Sequence, residues 1–535
     1  MQTESFDNML SVTYTAALFG IDAFLVTVEC NARKSIPQFD IVGLPGISVK
    51  ESRERVMNCA ASCGIPIPDM EITVNLAPAD RRKEGSDLDL GIMVALCRSS
   101  GLIPEDVDLG CKCFIGELSF TGDVRAVRGV LSMALEARDR GIAEIYVPYG
   151  NIKEAAAAVT RDTRVFGVKN VPELIACLRG EGKVYEVTDL PRIDPADGFR
   201  FAEDFSQVKG QTRARRAVEI AAAGAHNVLL IGPPGSGKSM IAKRIPTILP
   251  AMTYDEAIET TKLHSVAGLI PENGDIVTRR PFRSPHHSCS VVSLVGGSAI
   301  PMPGEISLAH NGVLFLDEFP EFSKSTSEAL RQPLEDSKVT VTRAAGRVTF
   351  PSSFMLVCAM NPCKCGYFGS KRGTCTCKPA DIKTYLSKIS GPLLDRIDIQ
   401  MEMPEVDFSE ISDKADSEPS AAIRERVEAA REISRERFRA AGYKRYSVMN
   451  NAMMNTDDLK RFCVLDDDCI KIMEGAFKRM NLSARAYDRI LRVARTIADV
   501  ERARRPDDGS GVIGGKITKK DVMEAVQMRA LDKYW

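Results

Sequence analysis

The segment IGPPGSGKS at residues 231–239 matches the G-x-x-x-x-G-K-[ST] pattern of a phosphate-binding loop and is the strongest indicator of the fold of this chain. An apolar run at 227–231 predicts a buried strand before the loop, and the residues from Met240 predict a helix after it. Glycines in such a loop let backbone N–H groups face phosphates at a helix N-terminus. We therefore expect an α/β nucleotide site for ATP, built by Gly232, Pro233, Pro234, Gly235, Ser236, Gly237, Lys238 and Ser239.

The last two residues of this loop carry its chemistry. Lys238 would reach the β- and γ-phosphates, and the Ser239 hydroxyl would ligate Mg²⁺. The alternative is a Gly- and Pro-rich turn that binds nothing, which the complete motif and its flanks disfavour. A second motif supports the nucleotide site: the apolar run VLFLDE at 313–318 ends in two carboxylates. There Asp317 would hold Mg²⁺ and Glu318 would polarise the attacking water as general base.

Composition indicates an ordinary globular chain of about two to four domains for its 535 residues. The formal net charge of −1 argues against a uniformly basic nucleic-acid-binding protein. It does not exclude a local basic channel, because attraction of DNA depends on how charge is distributed and not on its sum. The first seven residues do not resemble a signal peptide, and no apolar stretch approaches the roughly 18 residues of a membrane span. With fifteen cysteines and no export signal, we expect a reducing, cytoplasmic location.

A third apolar run, FMLVCAM at 354–360, predicts a strand that ends at Asn361. The position resembles "sensor 1" of AAA+ ATPases, where an amide orients water against the γ-phosphate. The alternative is an asparagine that begins a turn with Pro362, which is a common arrangement. The order of the motifs favours the sensor.

The segment GPLLDRID at 391–398 makes the resemblance specific. The phosphate-binding loop, VLFLDE, Asn361 and this segment, in that order, resemble AAA+ ATPases related to magnesium chelatase and the MCM helicases. The resemblance implies that Arg396 is an arginine finger acting on a neighbouring subunit's site, and hence a homo-oligomer, as a hexameric ring. The alternative is a surface ion pair between Arg396 and Asp395 or Asp398.

A helical pattern rich in Arg, Glu and Ala begins near residue 422. The segment 481–492 within it resembles the "sensor 2" helix of the AAA+ lid, with Arg485 as the γ-phosphate reader. Arg489 on the same helix is a rival for that role, and a solvated basic face is the alternative.

The N-terminal segments FDIVGLPG at 39–46 and ITVNLAPAD at 72–80 extend the resemblance to the bacterial magnesium-chelatase-like YifB/ComM family. This implies three parts: a Lon-protease-like α+β domain (1–182), an AAA+ core with a parallel sheet (204–405), and a C-terminal helical lid (422–535). A Pro- and acid-rich linker separates the first two at 183–203. Members of the family are implicated in natural transformation as DNA branch-migration helicases.

The Lon resemblance does not predict a protease. A Ser–Lys dyad needs a nucleophile with an adjacent base. Asp87 stands where the serine would be, Ser86 is one position early, and Leu131 replaces the lysine. We therefore expect a structural or DNA-interacting module.

Two insertions suggest contacts with DNA. The segment 334–350 predicts a β-hairpin with an Ala344-Ala345-Gly346 turn, and its basic residues could grip a phosphate backbone without reading its sequence. A plain surface hairpin is the alternative. The insertion at about 264–297 includes His286-His287 next to basic residues. These histidines could form a metal site, but a loop of the ring that contacts nucleotide or DNA is the preferred interpretation. The DNA-contact candidates are Lys338, Arg343 and Arg347.

Two C-x-C pairs follow Asn361. Four thiolates could hold structural Zn²⁺ as a tetrahedral site with no open position for catalysis. Free thiols or a redox-sensitive cluster are the alternatives, because the spacing is tighter than the usual C-x₂-C. The four residues are Cys363, Cys365, Cys375 and Cys377.

Taken together, these patterns and the resemblance predict a ring-forming ATPase that moves along single-stranded or branched DNA, with ATP and Mg²⁺ as its cofactors. The alternative is a chelatase- or chaperone-like ATPase that remodels a protein partner.

Overall fold

The computed structural model describes residues 9–67, 69–188, 198–199, 201–270, 276–298, 301–343, 346–370, 373–405, 417–445, 448–480, 482–504 and 515–529. The chain divides into two compact units: Met1–Ile193 with Ala257–Val277, and Asp194–Glu256 with Thr278–Trp535. Parts of the predicted linker (189–197 and 200) and the predicted hairpin residues Ala344 and Ala345 lie outside the described residues.

The first unit is built on an eight-stranded mixed sheet in the order β10-β9-β8-β5-β1-β2-β4-β3. Along β2 the residues alternate between buried and partly exposed, as expected for a strand with one face in the core. The eight strands of this sheet are β1 Met9–Phe19, β2 Asp22–Arg33, β3 Gln38–Val42, β4 Glu71–Ala77, β5 Lys112–Phe114, β8 Glu144–Pro148, β9 Arg164–Val168 and β10 Tyr185–Glu186. The strands β6 Glu117–Leu118 and β7 Val124–Arg125 form a separate two-stranded ribbon.

Helices of the first unit pack on this sheet, and α3 is buried along nearly its whole length. The helices are α1 Ile47–Lys50, α2 Ser52–Ser62, α3 Asp89–Ser99, α4 Val130–Asp139, α5 Ile152–Ala155 and α6 Val171–Leu178. Residues 257–277, which the domain prediction placed in the ATPase core at 204–405, group with this unit. The physical reason is a buried chain of hydrogen bonds: the Gly129 N–H donates to Ser265 Oγ at 2.9 Å, and Ser265 Oγ donates to Glu154 at 2.7 Å.

The second unit contains a five-stranded sheet in the order β12-β15-β18-β11-β19. All its pairs are parallel, which confirms the predicted parallel sheet. A parallel sheet is covered on both faces, so its central strands are continuous apolar runs rather than alternating ones. The strands are β11 Val228–Ile231, β12 Phe282–Arg283, β15 Val313–Leu316, β18 Met355–Met360 and β19 Ile399–Glu402.

Two short ribbons accompany this sheet. The strands β13 Gly296–Gly297 and β14 Met302–Pro303 form one, and β16 Lys338–Arg343 and β17 Gly346–Pro351 form the other. The helices before the lid are α7 Thr212–Gly224, α8 Lys238–Arg244, α10 Val291–Val295, α11 Glu305–Leu308, α12 Lys324–Glu328, α13 Arg331–Asp336, α14 Pro379–Leu386 and α15 Gly391–Leu394. Helix α9 Tyr254–Val266 belongs to the first unit from Ala257 onward.

The C-terminal region is helical, as predicted. Its helices bury apolar residues such as Val427, Phe438 and Ile497 in one core with the sheet and α7. They are α16 Ser420–Ala440, α17 Thr456–Phe462, α18 Asp467–Met480, α19 Ala484–Arg504 and α20 Lys519–Gln527. Across the described part of the chain, no helix combines the length and apolarity that a membrane crossing requires.

Candidate nucleotide site

The phosphate-binding loop joins β11 to α8, the strand–loop–helix setting that its motif requires. Gly237 has a φ of +88°, in the left-handed region that favours glycine. At Gly232 a Cβ atom would lie 2.4 Å from the Met403 carbonyl oxygen, so only glycine fits. These two features explain why the motif requires glycine at positions 232 and 237.

Lys238 points into its own loop. Its Nζ donates to the carbonyl oxygens of Gly232 at 2.7 Å and Pro233 at 2.9 Å, and it lies 3.2 Å from Asn361 Oδ1. Burial lowers the pKa of Lys238 to about 8, while the Asp317 carboxylate acts in the opposite direction. The cation is therefore available for phosphate at neutral pH, next to the predicted sensor.

Ser239 and Asp317 meet at the same edge of the sheet. Ser239 Oγ donates to Asp317 Oδ2 at 2.7 Å, and Asp317 Oδ1 accepts the Glu318 N–H at 2.9 Å. A hydroxyl and a carboxylate oxygen are the hard ligands that Mg²⁺ prefers. The residues present therefore fit the ion that the motifs imply, and Ser239 and Asp317 would hold it.

Glu318 stands at the end of β15 with a φ of +49°, an uncommon value for a residue other than glycine. Its side chain is 60% exposed, and its Oε2 lies 3.2 Å from His287 Nδ1. This partner arises because β12 lies beside β15 in parallel, so the chain that leaves β12 reaches the tip of its neighbour. The sequence analysis placed His287 in a loop contacting nucleotide or DNA and did not predict its pairing with Glu318.

Gln211 makes contacts that were not predicted from the sequence, although the segment 204–211 resembles the AAA+ entry segment near the adenine. Its Nε2 donates to the carbonyl oxygens of Ser236 at 3.1 Å and Pro404 at 2.5 Å. Its φ of +52° turns the chain just before α7. Gln211 therefore ties the phosphate-binding loop to the segment after β19, and no motif in the sequence signals that contact.

The three candidate arginines differ in their surroundings. Arg396 is 5% exposed and its guanidinium donates to Glu335 and to the Pro392 carbonyl oxygen. The Arg485 side chain is 66% exposed, and its nearest acid is Asp395 at 3.9 Å. The structure thus places an ion pair at the predicted finger, with Glu335 rather than with Asp395 or Asp398.

Arg489, the rival of Arg485, is engaged in a buried ion pair. It contacts Asp398 at 2.6 Å, and the Asn227 N–H also donates to that carboxylate at 2.9 Å. Burial alone would raise the pKa of Asp398, but Arg489 and His226 hold it well below its usual range. Arg489 therefore neutralises a buried carboxylate between the sheet and the lid, whereas Arg485 remains accessible.

The predicted hairpin is confirmed by the antiparallel register of β16 and β17. Its apolar residues Val339, Val341, Val348 and Phe350 are buried, as the alternation predicted. We call Lys338, Arg343 and Arg347 the hairpin cations, and all three are exposed. Lys338 and Arg347 share one face by register, whereas Arg343 Nη2 would lie 2.8 Å from a Cβ placed on Gly297.

The four predicted cysteines come together. Their sulfur atoms all lie within 4.8 Å of one another, and Cys363 is fully buried. The Cys363 sulfur is 3.3 Å from that of Cys365 and 3.8 Å from that of Cys375. This cluster could bind Zn²⁺, and all fifteen cysteines of the chain are free thiols.

The N-terminal unit places Asp87 and Leu131 in its interior. Asp87 is 8% exposed, and Leu131 on α4 is fully buried. Burial raises the pKa of Asp87 to about 7, with a further contribution from Asp89. Ser86 Oγ donates a hydrogen bond to Glu117, so its partner is a carboxylate and not the lysine of a Ser–Lys dyad. The geometry at these positions gives no support to a Ser–Lys dyad.

Comparisons with known proteins agree with this site. Residues 204–411 match the family described as "Magnesium chelatase, subunit ChlI", residues 28–151 match "Subunit ChlI of Mg-chelatase", and residues 417–529 match "Magnesium chelatase, subunit ChlI C-terminal". One match thus lies within the N-terminal unit, and the other two together cover most of residues 204–529.

Relatives that match this chain over nearly their full length identify a more specific family. The chain is 38% identical to the uncharacterized protein YifB of Escherichia coli K12, over 98% of both chains. It is 40% identical to competence protein ComM of Haemophilus influenzae, over 92% of this chain and 94% of that one. A distant likeness to DNA replication licensing factor Mcm5 of Drosophila melanogaster is 22% identical over 60% of this chain and 46% of that one. With motifs, fold and full-length relatives in agreement, the chain belongs to the magnesium-chelatase-like YifB/ComM family of AAA+ proteins.

Proposed function

We propose that this protein is a ring-forming ATPase that converts ATP hydrolysis into movement along DNA, in branch migration during recombination or natural transformation. The observation that carries the ATPase part is the convergence of Lys238, Ser239, Asp317 and Asn361 at one edge of the parallel sheet. Because β11 lies between β18 and β19, this edge is the switch point where α/β sheets bind ligands.

The residues divide the work of hydrolysis. Lys238 neutralises the β- and γ-phosphates, and Mg²⁺ held by Ser239 and Asp317 supplies further positive charge there. Glu318 takes the proton of the attacking water, with His287 at 3.2 Å positioning its carboxylate. The Asn361 amide lies beside Lys238 and orients that water.

Assembly follows from the arginine-finger motif. Arg396 would complete the site of a neighbouring copy, a contribution worth roughly 10³–10⁵ in rate for such fingers. Arg485 would read the γ-phosphate from the lid. The distant likeness to an MCM protein supports an oligomeric ATPase, and a hexamer is our proposal by that analogy.

DNA is the proposed track because the hairpin offers exposed cations on a rigid ribbon. Lys338 and Arg347 lie on one face, while buried Val339, Val341 and Phe350 anchor the other. Cations on a ribbon suit contacts to a phosphate backbone, which carry no sequence information. The relative named competence protein ComM supports a role in DNA uptake or recombination.

A protein-remodelling ATPase is the second candidate, favoured by apolar side chains at the surface of the first unit. Ile36 is 83% exposed, Ile47 is 72% exposed and Leu10 is 67% exposed. Exposed apolar groups of this kind mark protein-binding surfaces when they are contiguous. On either proposal the N-terminal unit is a Lon-like module without proteolytic activity, because Asp87 and Leu131 stand where the Ser–Lys dyad would be.

The test is the ATPase rate with and without single-stranded and branched DNA at two salt concentrations. We expect stimulation that weakens with salt, because phosphate contacts release counterions. Replacing all three hairpin cations by alanine should abolish the stimulation and keep the basal rate. The control removes three exposed cations of the lid, Lys460, Lys471 and Arg479, with the same change of charge. DNA stimulation that survives in the hairpin variant, or basal turnover indifferent to DNA, would favour the protein-remodelling candidate.

We further propose that Zn²⁺ is a structural cofactor held by the four cysteines, in a cytoplasmic protein whose thiols stay reduced. Four thiolates close the coordination sphere of the ion, so it would take no part in hydrolysis. For Zn–S bonds of about 2.3 Å, a tetrahedron places the sulfurs about 3.8 Å apart. Two of the observed separations, 3.8 Å and 3.7 Å, match that figure.

A further inference from the structure

The cysteine cluster touches the nucleotide site through Gly366. A Cβ atom on Gly366 would lie 2.8 Å from Pro234 Cδ and 3.9 Å from Asn361 Cγ. The φ of +89° at Gly366 is in the left-handed region that favours glycine. The loop that carries the cysteines therefore packs its backbone directly against the phosphate-binding loop, at a distance that excludes any side chain.

The chain also links the two sites through Asn361. This residue follows β18 directly, and Cys363 is two residues further on. Asn361 Oδ1 accepts from Lys238 Nζ at 3.2 Å, while the Cys363 carbonyl oxygen accepts the Gly366 N–H at 3.0 Å. The turn 363–366 thus carries two of the four cysteines, follows the sensor amide in the chain and contacts Pro234 through Gly366. A shift of its sulfurs would therefore bear on both Asn361 and the contact with Pro234.

A metal ion would make this arrangement rigid. Residues 363–365 and residues 375–377 carry two thiols each. A metal ion that bridges the two pairs removes conformational freedom from the chain that joins them. Removing an outer group that orients a metal ligand costs about 10- to 100-fold in metal affinity or activity, and we take that range as the analogy for a group that supports a nucleotide-binding loop. Residues 361–366 support the phosphate-binding loop in this way, because Gly366 lies against Pro234 and Asn361 accepts a hydrogen bond from Lys238.

We infer that Zn²⁺ in the cluster of Cys363, Cys365, Cys375 and Cys377 is a brace for the ATP site, so that nucleotide binding depends on a metal that takes no part in the chemistry. This inference rests on the proposed function only in taking the loop at 232–239 as an ATP site; it requires neither DNA nor a ring. The cysteines position other groups and are not catalytic residues.

The first experiment uses the full chain and measures bound zinc by elemental analysis and the Kd for a fluorescent ATP analogue. We expect about one zinc per chain. Chelation should weaken nucleotide binding by about tenfold or more, and added Zn²⁺ should restore it. Cys375→Ser with Cys377→Ser should lose both the metal and the affinity, whereas Cys111→Ser in the first unit should keep both. Nucleotide affinity that is unchanged after the zinc is removed would overturn the brace.

A second variant separates the brace from the metal site itself. Gly366→Ala keeps all four cysteines and should keep its zinc, but its Cβ collides with Pro234 and should weaken ATP-analogue binding. It also keeps the inference testable if the double cysteine variant does not fold. A Gly366→Ala protein with full zinc and unchanged nucleotide affinity would show that the contact of Gly366 with Pro234 does not support nucleotide binding. An absence of bound zinc in the wild-type protein would show that the four cysteines do not hold the metal. Neither result depends on DNA stimulation, whose loss would count only against the proposed motor.

Discussion

The guanidinium of Arg396 is held by the carboxylate of Glu335, with a second hydrogen bond to the Pro392 carbonyl oxygen. The Arg396 side chain is 6% exposed, whereas that of Glu335 is 55% exposed. Glu335 lies in the last turn of α13, and the hairpin strand β16 begins at Lys338. The predicted finger is therefore paired with a residue next to the proposed DNA-binding ribbon.

If Arg396 acts on a neighbouring copy, Arg396→Ala should lower the ATPase rate by about 10³-fold or more. Mixing it with Lys238→Ala should restore part of the activity, because some interfaces then combine an intact Lys238 with an intact Arg396. Size-exclusion chromatography must show that mixed oligomers form. Mixed oligomers without restored turnover would contradict the role in trans and leave Arg396 as the structural partner of Glu335.

Removing the charge of Glu335 should release the finger. We expect Glu335→Gln to raise the basal ATPase rate and to reduce the extra stimulation by DNA, since the ion pair no longer holds Arg396. The matched control is Glu328→Gln. Glu328 ends the preceding helix α12, and its carboxylate pairs with Arg331 of α13 at 3.0 Å. Equal basal rates in Glu335→Gln and the control would show that the ion pair does not restrain turnover.

Arg485 and Arg489 offer a direct contrast on one helix. Arg489→Ala leaves the buried Asp398 without its cation and should cost about 3–5 kcal/mol of unfolding free energy. Arg485→Ala breaks only an exposed pair at 3.9 Å and should cost under about 1 kcal/mol, yet it should lower ATP turnover. Chemical denaturation and steady-state kinetics check the two halves. An Arg485→Ala protein with full activity would remove Arg485 from the site.

The lowered pKa of Lys238 predicts proton uptake when nucleotide binds. The free side chain loses its proton as the pH rises through about 8, and an adjacent phosphate favours the charged form. Calorimetry in two buffers of different ionisation enthalpy should therefore show uptake approaching about half a proton at pH 8 and almost none at pH 6.5. Lys238→Arg, which does not titrate, is the control. Equal uptake by both proteins would assign the proton to another group.

Asp87 predicts a pH dependence of stability in the N-terminal unit. Its folded pKa of about 7 exceeds the ordinary value of 3.8, so the folded state binds the extra proton between these values. Stability should therefore fall as the pH rises from about 4 to about 7, by up to about 4 kcal/mol from this group. Hydrogen exchange of the α3 amides in the full chain measures it, and Asp87→Asn should flatten the slope.

The neighbouring Asp89 provides the control for this experiment. Arg55 binds its carboxylate through Nε at 2.5 Å and Nη2 at 3.0 Å. Burial also raises the pKa of Asp89, so Asp89→Asn should remove part of the slope as well. Unlike Asp87→Asn, it should also destabilise the unit, because it removes the carboxylate that Arg55 binds most closely. A wild-type slope that persists in Asp87→Asn would mean that another group takes up the proton.

The sequence by itself determined the elements whose signals are local. A phosphate-binding loop needs glycines at fixed positions between a strand and a helix, so 231–239 predicts its own surroundings. Apolar runs predicted β11, β15 and β18, and the parallel sheet then brings their carboxyl ends, with Asp317 and Asn361, to one edge. The hairpin was predictable for the same reason, since its alternation reports which face is buried.

Tertiary structure alone decided the contacts between segments far apart in the chain. His287 meets Glu318 because β12 and β15 are neighbours, and Arg396 meets Glu335 across 61 residues. The choice between Arg485 and Arg489 depends on where Asp398 is buried, which helical spacing does not encode. The contact of Gly366 with Pro234 is of the same kind. Local periodicity specifies an element and its buried face, but only packing specifies which side chain of another element completes an ion pair or closes a gap.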